Sequence, residues 1–287
     1  MEFLELYFNP NLREDTFVDS FCFSPKNSTE NNLGDLYLVG EVKNVLKNNK
    51  DFLLEIAEIF KKEYYNIPGT NSRDSFKNSL QKVNEFLEQE IKKENTTWMG
   101  NTNITVMSLT PDFLMNIAVV GNFKIIISKQ EEIFDIGESV NITTPVGGGF
   151  SNMAEGRVDE GDKILIINKE IFDVFGNEKI FKKLSRIKKL KEVKRIFKEK
   201  KMILKEIFGV SLFILIKKPR KKLYLLTSFK DYFSSIFVVC SEFISKNLSK
   251  VGEKVFPSSS FLQDKFKKSL FYILILIIIS LLGYLIF

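Results

Sequence analysis

The sequence predicts an α+β sandwich, with one apolar transmembrane helix at the C-terminal end. Three observations carry this. Two helix-periodic segments come first, β-rich runs separated by turn residues follow, and a basic helix leads into a last strand. The 287 residues suffice for one large domain, and 44% hydrophobic residues with 28 Phe supply a sizeable core.

The elements follow in order. "DLYLVG" (35–40) alternates toward a short buried strand. In "KDFLLEIAEIFKKEYY", Leu53, Ile56, Ala57 and Phe60 share one helical face, and Pro68 and Gly69 stop the helix. Phe76, Leu80, Val83, Leu87 and Ile91 recur at spacings of three and four, which makes a second, amphipathic helix on the outside of a sheet. "NITVMSLTPD", "MNIAVVGNFKIIISKQ" and "EEIFDIGE" predict a meander, with Gly121–Asn122 as a tight turn or bulge. "DKILIIN" is a strand that runs straight into a short helix, and "FGVSLFILI" (Phe208–Ile216) is the last strand. Between them one long basic helix is expected at about 177–206. Its apolar face is Phe181, Leu184, Ile187, Leu190, Val193 and Phe197.

Residues 270–287, "LFYILILIIISLLGYLIF", carry no charge. At a rise of about 1.5 Å per residue such a helix spans roughly 27 Å, enough for a bilayer core. Lys265, Lys267 and Lys268 precede it and no charged side chain follows, which predicts a single-pass membrane protein with its N-terminal part cytoplasmic. "MEFLELYFNP" lacks the basic and apolar regions of a signal peptide. The expected organisation is a domain at 1–218, a basic and amphipathic juxtamembrane linker at 219–269, including a helix at "DYFSSIFVVCSEFISKNL", and the span at 270–287.

The chain has no His, which excludes Ser-His and Cys-His catalysis and imidazole ligation of a metal. Its two Cys, Cys22 and Cys240, fit no zinc or disulfide framework. Chemistry is left to carboxylates, Lys, hydroxyls and bound metals.

Four landmarks stand in order. They are "LYLVGEVKN" (Leu36–Asn44), "NITVMSL…MNIAVVGNFK", "GRVDEGDKILIINKEIFDVFGNEKI" and "FGVSLFILI". Together, over roughly residues 5–218, they resemble the PPM (PP2C-type) serine/threonine phosphatase domain. In that family the four carry Asp-Gly-x-Gly, Ala-Asn-Val-Gly-Asp-Ser-Arg, a Ser/Thr-Asp-Gly strand end and Asp-Asn-x-Thr. The resemblance implies an α/β/β/α sandwich and, in active members, two divalent metals that activate a bridging water against a phosphate ester.

Most of that metal chemistry does not carry over. The first metal Asp matches Glu41, which keeps a carboxylate, but its Gly neighbour is Val42. The strand-end Asp and Gly match Lys169 and Glu170. The last Asp and Asn match Phe208 and Gly209, and the Asp of Gly-Asp-Ser-Arg matches Asn122. Asp15 in "LREDTF" matches an early family Asp.

At about 4 Å and an effective dielectric near 20, the attraction of a carboxylate for a 2+ ion and the repulsion by the Lys169 ammonium that replaces it are each worth roughly 8 kcal/mol. Either one is about the whole free energy of micromolar binding. The resemblance therefore implies a degenerate, catalytically inactive domain, a pseudophosphatase with no metal cofactor. It would be a binding or regulatory module for a phosphoprotein or a kinase. The competing expectation is an active metal-dependent phosphatase using Mn2+ or Mg2+ at an atypical site that includes Asp15 and Glu41. Lys169 is expected to be a solvent-facing residue without a role, ahead of any new ligand site; the other reading is a Lys169–Glu170 or Lys169–Glu41 ion pair as a structural tie in place of metal, contributing about 0–1 kcal/mol if exposed.

The net charge of +6 is concentrated, since residues 182–205 hold twelve Lys or Arg against two Glu. Lys182, Lys183, Arg186, Lys189, Lys194 and Arg195, with the run Lys217, Lys218, Arg220, Lys221 and Lys222, are candidates for contact with anionic lipid. Nucleic acid ranks below lipid, because aromatics are not interleaved on the polar side of the helix.

Overall fold

The computed structural model describes residues 1–44, 51–66, 71–137 and 148–218. The apolar segment 270–287, the linker 219–269 and the candidate lipid contacts Arg220, Lys221 and Lys222 lie outside the described residues. Among the described residues no helix is long and apolar enough to cross a membrane.

Two five-stranded sheets form the centre. In the first, β1 (Glu2–Phe8), β10 (Gly209–Leu215), β9 (Lys163–Ile167), β6 (Lys124–Lys129) and β7 (Glu132–Asp135) lie side by side in that order. In the second the order is β2 (Thr16–Phe23), β3 (Asp35–Lys43), β4 (Thr102–Leu109), β5 (Leu114–Val120) and β8 (Ala154–Arg157). Every neighbouring pair is antiparallel. A short helix α1 (Ser28–Asn31) joins β2 to β3.

Strand alternation sorts the side chains into three apolar layers. Tyr37, Val39, Met107, Ile117 and Val119 of the second sheet meet Ile125, Ile127, Ile164, Ile166, Val210 and Leu212 of the first. The opposite face of the second sheet, with Leu36, Leu38, Val106 and Ala118, buries α2 (Phe52–Asn66) and α3 (Ser72–Lys92) through Ile56, Phe60, Phe76 and Val83. The outer face of the first sheet, with Leu165, Ile167 and Phe213, holds α4 (Lys169–Asn177), α5 (Ile180–Leu184), α6 (Leu190–Glu199) and α7 (Lys201–Leu204) through Ile171, Phe175, Ile180, Val193 and Ile196. The result is the four-layer sandwich expected from the sequence.

Three expectations are corrected. The basic segment is three short helices and not one, set off from α4 at Lys179 with φ 55° and broken across residues 185–189 and at Lys200. One straight helix over 177–206 would run about 45 Å. A seven-residue strand covers only about 23 Å. The segment therefore folds back so that each piece turns its apolar residues onto the sheet. Like-charged pairs four apart, such as Lys182 with Arg186 and Lys191 with Arg195, further disfavour one continuous helix.

The meander is interrupted as well. β4 and β5 pair in one sheet and β6 and β7 in the other, so Gly121–Asn122 is where the chain crosses between sheets. Finally, β1, β2 and β8 go beyond the expected strands. On β1 and β2 the positions facing the opposite sheet include Glu5, Tyr7, Ser20 and Cys22, which hides the alternation from a hydrophobicity count. The Tyr7 hydroxyl donates to Asp19 at 2.8 Å, and the Ser20 hydroxyl donates to Glu5 at 2.8 Å.

The helical layer on the second sheet is tied by buried polar contacts, among them the Tyr64 hydroxyl donating to the Leu33 carbonyl at 2.7 Å and Asn116 Nδ2 donating to the Ser72 hydroxyl at 3.3 Å. Tyr64→Phe leaves that carbonyl unmatched and should lower unfolding stability by about 1–2 kcal/mol. Denaturant melts of the two proteins check this; equal midpoints would mean the bond contributes nothing.

Candidate functional site

At one end of the sandwich the layer between the sheets stops being apolar. Position 41 shares the inter-sheet face of β3 with Tyr37 and Val39, and position 168 shares that of β9 with Ile164 and Ile166. Position 103 on β4 and position 208 just before β10 fall on the same side. Glu41, Asn103 and Asn168 therefore converge around a cleft of about 120 Å3, whose lining also includes Arg13, Lys43, Lys169 and Glu170, while Phe208 is buried in the layer between the sheets.

Glu41 is only 4% exposed. A buried carboxylate is tolerated when its oxygens accept hydrogen bonds or meet a cation. Here Asn103 Nδ2 donates to Oε1 and Asn168 Nδ2 to Oε2, each at 3.1 Å, and Lys43 Nζ stands 3.3 Å from Oε1. Asn168 does more. Its Nδ2 also donates to the Phe208 carbonyl at 3.0 Å, and its Oδ1 accepts from Ile171 N at 3.1 Å, which caps α4. Two glycines admit these amides. At Gly209, with φ +143°, a Cβ would sit 2.2 Å from Asn168 Nδ2. At Gly121, with φ +80°, one would sit 2.1 Å from Asn103 Oδ1.

The second acid is committed too. Glu170 Oε1 accepts from Phe208 N at 2.9 Å, and Oε2 meets Arg13 at 2.6 Å. The Arg13 guanidinium also lies 4.8 Å from the centroid of the buried Phe208 ring. Thus Glu41 and Glu170 pair with Lys43 and Arg13, not with Lys169 as the ion-pair reading had it. Lys169 opens α4, where it is exposed, lines the cleft and makes no ion pair among the described residues, as the solvent-facing reading has it. Lys43 lies two residues beyond Glu41 on β3, on the same face.

The other positions taken from the resemblance divide. Val42 points away, into the layer under α2. Asp15 is exposed, accepts from the Thr16 hydroxyl at 3.1 Å and does not line the cleft. Asn122 lines it, its backbone N–H donating to Asn103 Oδ1 at 2.9 Å. Arg13, Lys43, Asn103 and Asn168 are the residues that sequence reasoning missed. Counting in twos from the buried positions of β4 and β9 finds Asn103 and Asn168. The same count from Glu41 along β3 finds Lys43, while nothing local in the sequence marks Arg13.

The implied pair of divalent ions can be tested against this donor set, and it does not fit. The cleft offers two carboxylates, all four of whose oxygens are already engaged, against three cations. Among the described residues no group of three or more acids or thiols could hold a metal. A thiol nucleophile is no substitute. Burial first, then the charge of Glu5, raises Cys22 well above the ordinary thiol range, and Sγ donates to Glu5 Oε1 at 3.6 Å.

No family model matches the sequence, and no curated protein matches it. Solved structures do match, and the fold is that of PPM-type phosphatase domains. The catalytic domain of the serine/threonine phosphatase PstP in complex with two manganese ions is similar with a TM-score of 0.54 at 10% identity, over 74% of this chain and 96% of that one. The phosphatase PstP/Ppp of Mycobacterium tuberculosis gives a TM-score of 0.50 at 10% identity over the same shares. The PP2C phosphatase domain of SpoIIE from Bacillus subtilis, with a fragment of its regulatory domain, gives a TM-score of 0.50 at 11% identity over 75% and 62%.

Asn168→Ala removes a helix cap and two buried donors at once, and should cost about 2–4 kcal/mol of stability. Thermal or denaturant melts measure it, and a loss below about 1 kcal/mol would show that Asn168 does not hold the site together. The raised Cys22 thiol predicts alkylation by iodoacetamide well below the rate of an exposed cysteine at pH 8. Peptide-resolved mass spectrometry reads that rate, and unhindered labelling would contradict the buried thiol–carboxylate contact.

Proposed function

We propose that residues 1–218 form a catalytically inactive PPM-type domain that binds phosphorylated protein segments without hydrolysing them. Residues 270–287 tether it to a membrane with the domain on the cytoplasmic side. One observation carries the binding reading: three cations, Lys43, Arg13 and Lys169, stand against two carboxylates at the cleft, which leaves it net positive, with Lys169 exposed and making no ion pair among the described residues. The Lys43 and Arg13 side chains are 51% and 44% exposed. A phosphate monoester, with close to two negative charges at neutral pH, suits three such groups.

No step of hydrolysis follows from these residues. Attack of water on phosphorus needs a group to generate the nucleophile and a positive centre that stabilises both entering and leaving oxygens. Glu41 is the one buried acid of the cleft, and its oxygens are held by amide donors. Lys169 and Arg13 stabilise a bound phosphate electrostatically but supply no activated water. Recognition without turnover is what the arrangement supports. The tether rests on the uncharged run itself and on the lysines before it.

The test uses the full chain in mild detergent with manganese and a phosphothreonine peptide. Turnover should be absent, calorimetry should detect no manganese binding tighter than millimolar, and the peptide should bind equally well with chelator present. Lys169→Glu should weaken peptide binding by roughly tenfold, about the worth of one charge-assisted contact. Manganese-dependent release of phosphate, or micromolar manganese binding, would instead establish an active phosphatase with an atypical site.

A further inference from the structure

We infer that the surface formed by α7, the end of α6 and the β1–β2 turn is a docking face for an anionic membrane. The observation is an apolar tip within a cationic rim. Met202 is 77% exposed, Ile203 36% and Leu12 58%. Single exposed apolar residues are ordinary, but these come from two distant segments held side by side. Asn9, in the left-handed region with φ 42°, donates through Nδ2 to the carbonyls of Lys205 at 2.8 Å and Ile207 at 2.7 Å. The same turn closes through Leu12 N donating to the Asn9 carbonyl at 2.9 Å. The turn that bears Leu12 is thus fastened to the segment that follows Met202 and Ile203.

The packing leaves these side chains outside for a reason. Val193, Ile196 and Leu204 are the residues of α6 and α7 that enter the layer on the first sheet, and Leu190 and Phe197 pack against it. With those five facing inward, Met202 and Ile203 point elsewhere.

Around them Lys198, Lys201 and Lys205 make no ion pair among the described residues. Of the acids on the same segments, Glu199 is held by Lys183 at 3.1 Å and Glu178 by Lys200 at 2.7 Å. Glu192 accepts from Lys188 N at 3.2 Å, and Glu206 is exposed, as are Glu14 and Asp15 of the β1–β2 turn. Residues 190–206 carry seven Lys or Arg against three Glu, and the turn adds Arg13 against Glu14 and Asp15, so the two segments together keep a net charge of +3. Of the residues first singled out for lipid contact, Lys183, Arg186, Lys217 and Lys218 pair with Glu199, Glu131, Glu2 and Glu160. The surface carrying this inference is therefore shifted toward Lys198–Lys205.

Lysines around protruding Met, Ile and Leu fit a lipid headgroup layer with hydrocarbon beneath it. Single-stranded nucleic acid would call for exposed aromatic platforms, and here Phe181 and Phe197 pack into the core.

The inference rests on the tethering reading for its membrane, and the assay separates the two. Full-length protein is mixed with phosphatidylcholine vesicles, or with phosphatidylcholine–phosphatidylserine vesicles. Flotation with the neutral vesicles reads the tail. Sulfoxide formation at Met202 under dilute peroxide, followed by mass spectrometry with Met99 as internal reference, reads the docking face.

Oxidation of Met202 should slow at least fivefold on anionic vesicles alone, and recover with added salt. Lys198→Gln, Lys201→Gln and Lys205→Gln combined, all at exposed positions, should abolish that protection while flotation persists. Failure to float on neutral vesicles with protection still present on anionic ones would remove the tether and keep the face. Equal oxidation rates on both vesicles would overturn the inference. Protection by polyuridylate in place of anionic vesicles would overturn it too.

Discussion

A carboxylate buried between two sheets must be answered by donors or cations, and the end of this sandwich is organised around that requirement at Glu41. Two amides and one ammonium answer it. The amides in turn need close backbone, which Gly121 and Gly209 allow. Asn168 then fixes the start of α4, and with it the position from which Lys169 and Glu170 leave the chain. The geometry of the cleft follows from satisfying one buried anion with groups other than a metal.

The same requirement explains how this PPM-type fold holds the end of its sandwich together with side-chain donors and cations. The apolar layers supply the large favourable term, and they do not involve the cleft. What a divalent pair would otherwise contribute at this end is the neutralisation of acids. Here the acids are fewer, and each is matched by a hydrogen bond or an ion pair. Fold and function are separable for this physical reason.

Much of the architecture was legible from periodicity. α2 and α3 fell where three-and-four spacing put them, as did the strands β3, β4, β5, β6, β9 and β10. The edge strands were less legible, because β1 and β2 face their partner sheet with Glu5, Tyr7, Ser20 and Cys22. The basic segment misled for a different reason. Its apolar residues recur as in one helix, while the width of the sheet beneath forces several short ones.

In the cleft, Glu41, Lys169 and Glu170 were found by matching positions to a family pattern. Arg13 reaches it through the pairing of β2 with β3 and of β9 with β10, a long-range property no local window contains, whereas Lys43 follows Glu41 by two residues on β3. Asn103 and Asn168 lay within reach of a simple alternation count. They were passed over because an amide attracts less notice than a charge.

The first sheet has a consequence for how the molecule is made. Its edge strand β1 is hydrogen-bonded along its whole length to β10, Glu2 opposite Leu215 and Phe8 opposite Gly209. At a translation rate of about 5–20 residues per second, the first strand waits roughly 10 to 40 s for its only neighbour to be synthesised. Throughout that interval an aromatic-rich strand stands unpaired. The early chain is therefore a natural client for holding factors, and closure of the domain is timed by the arrival of its last strand.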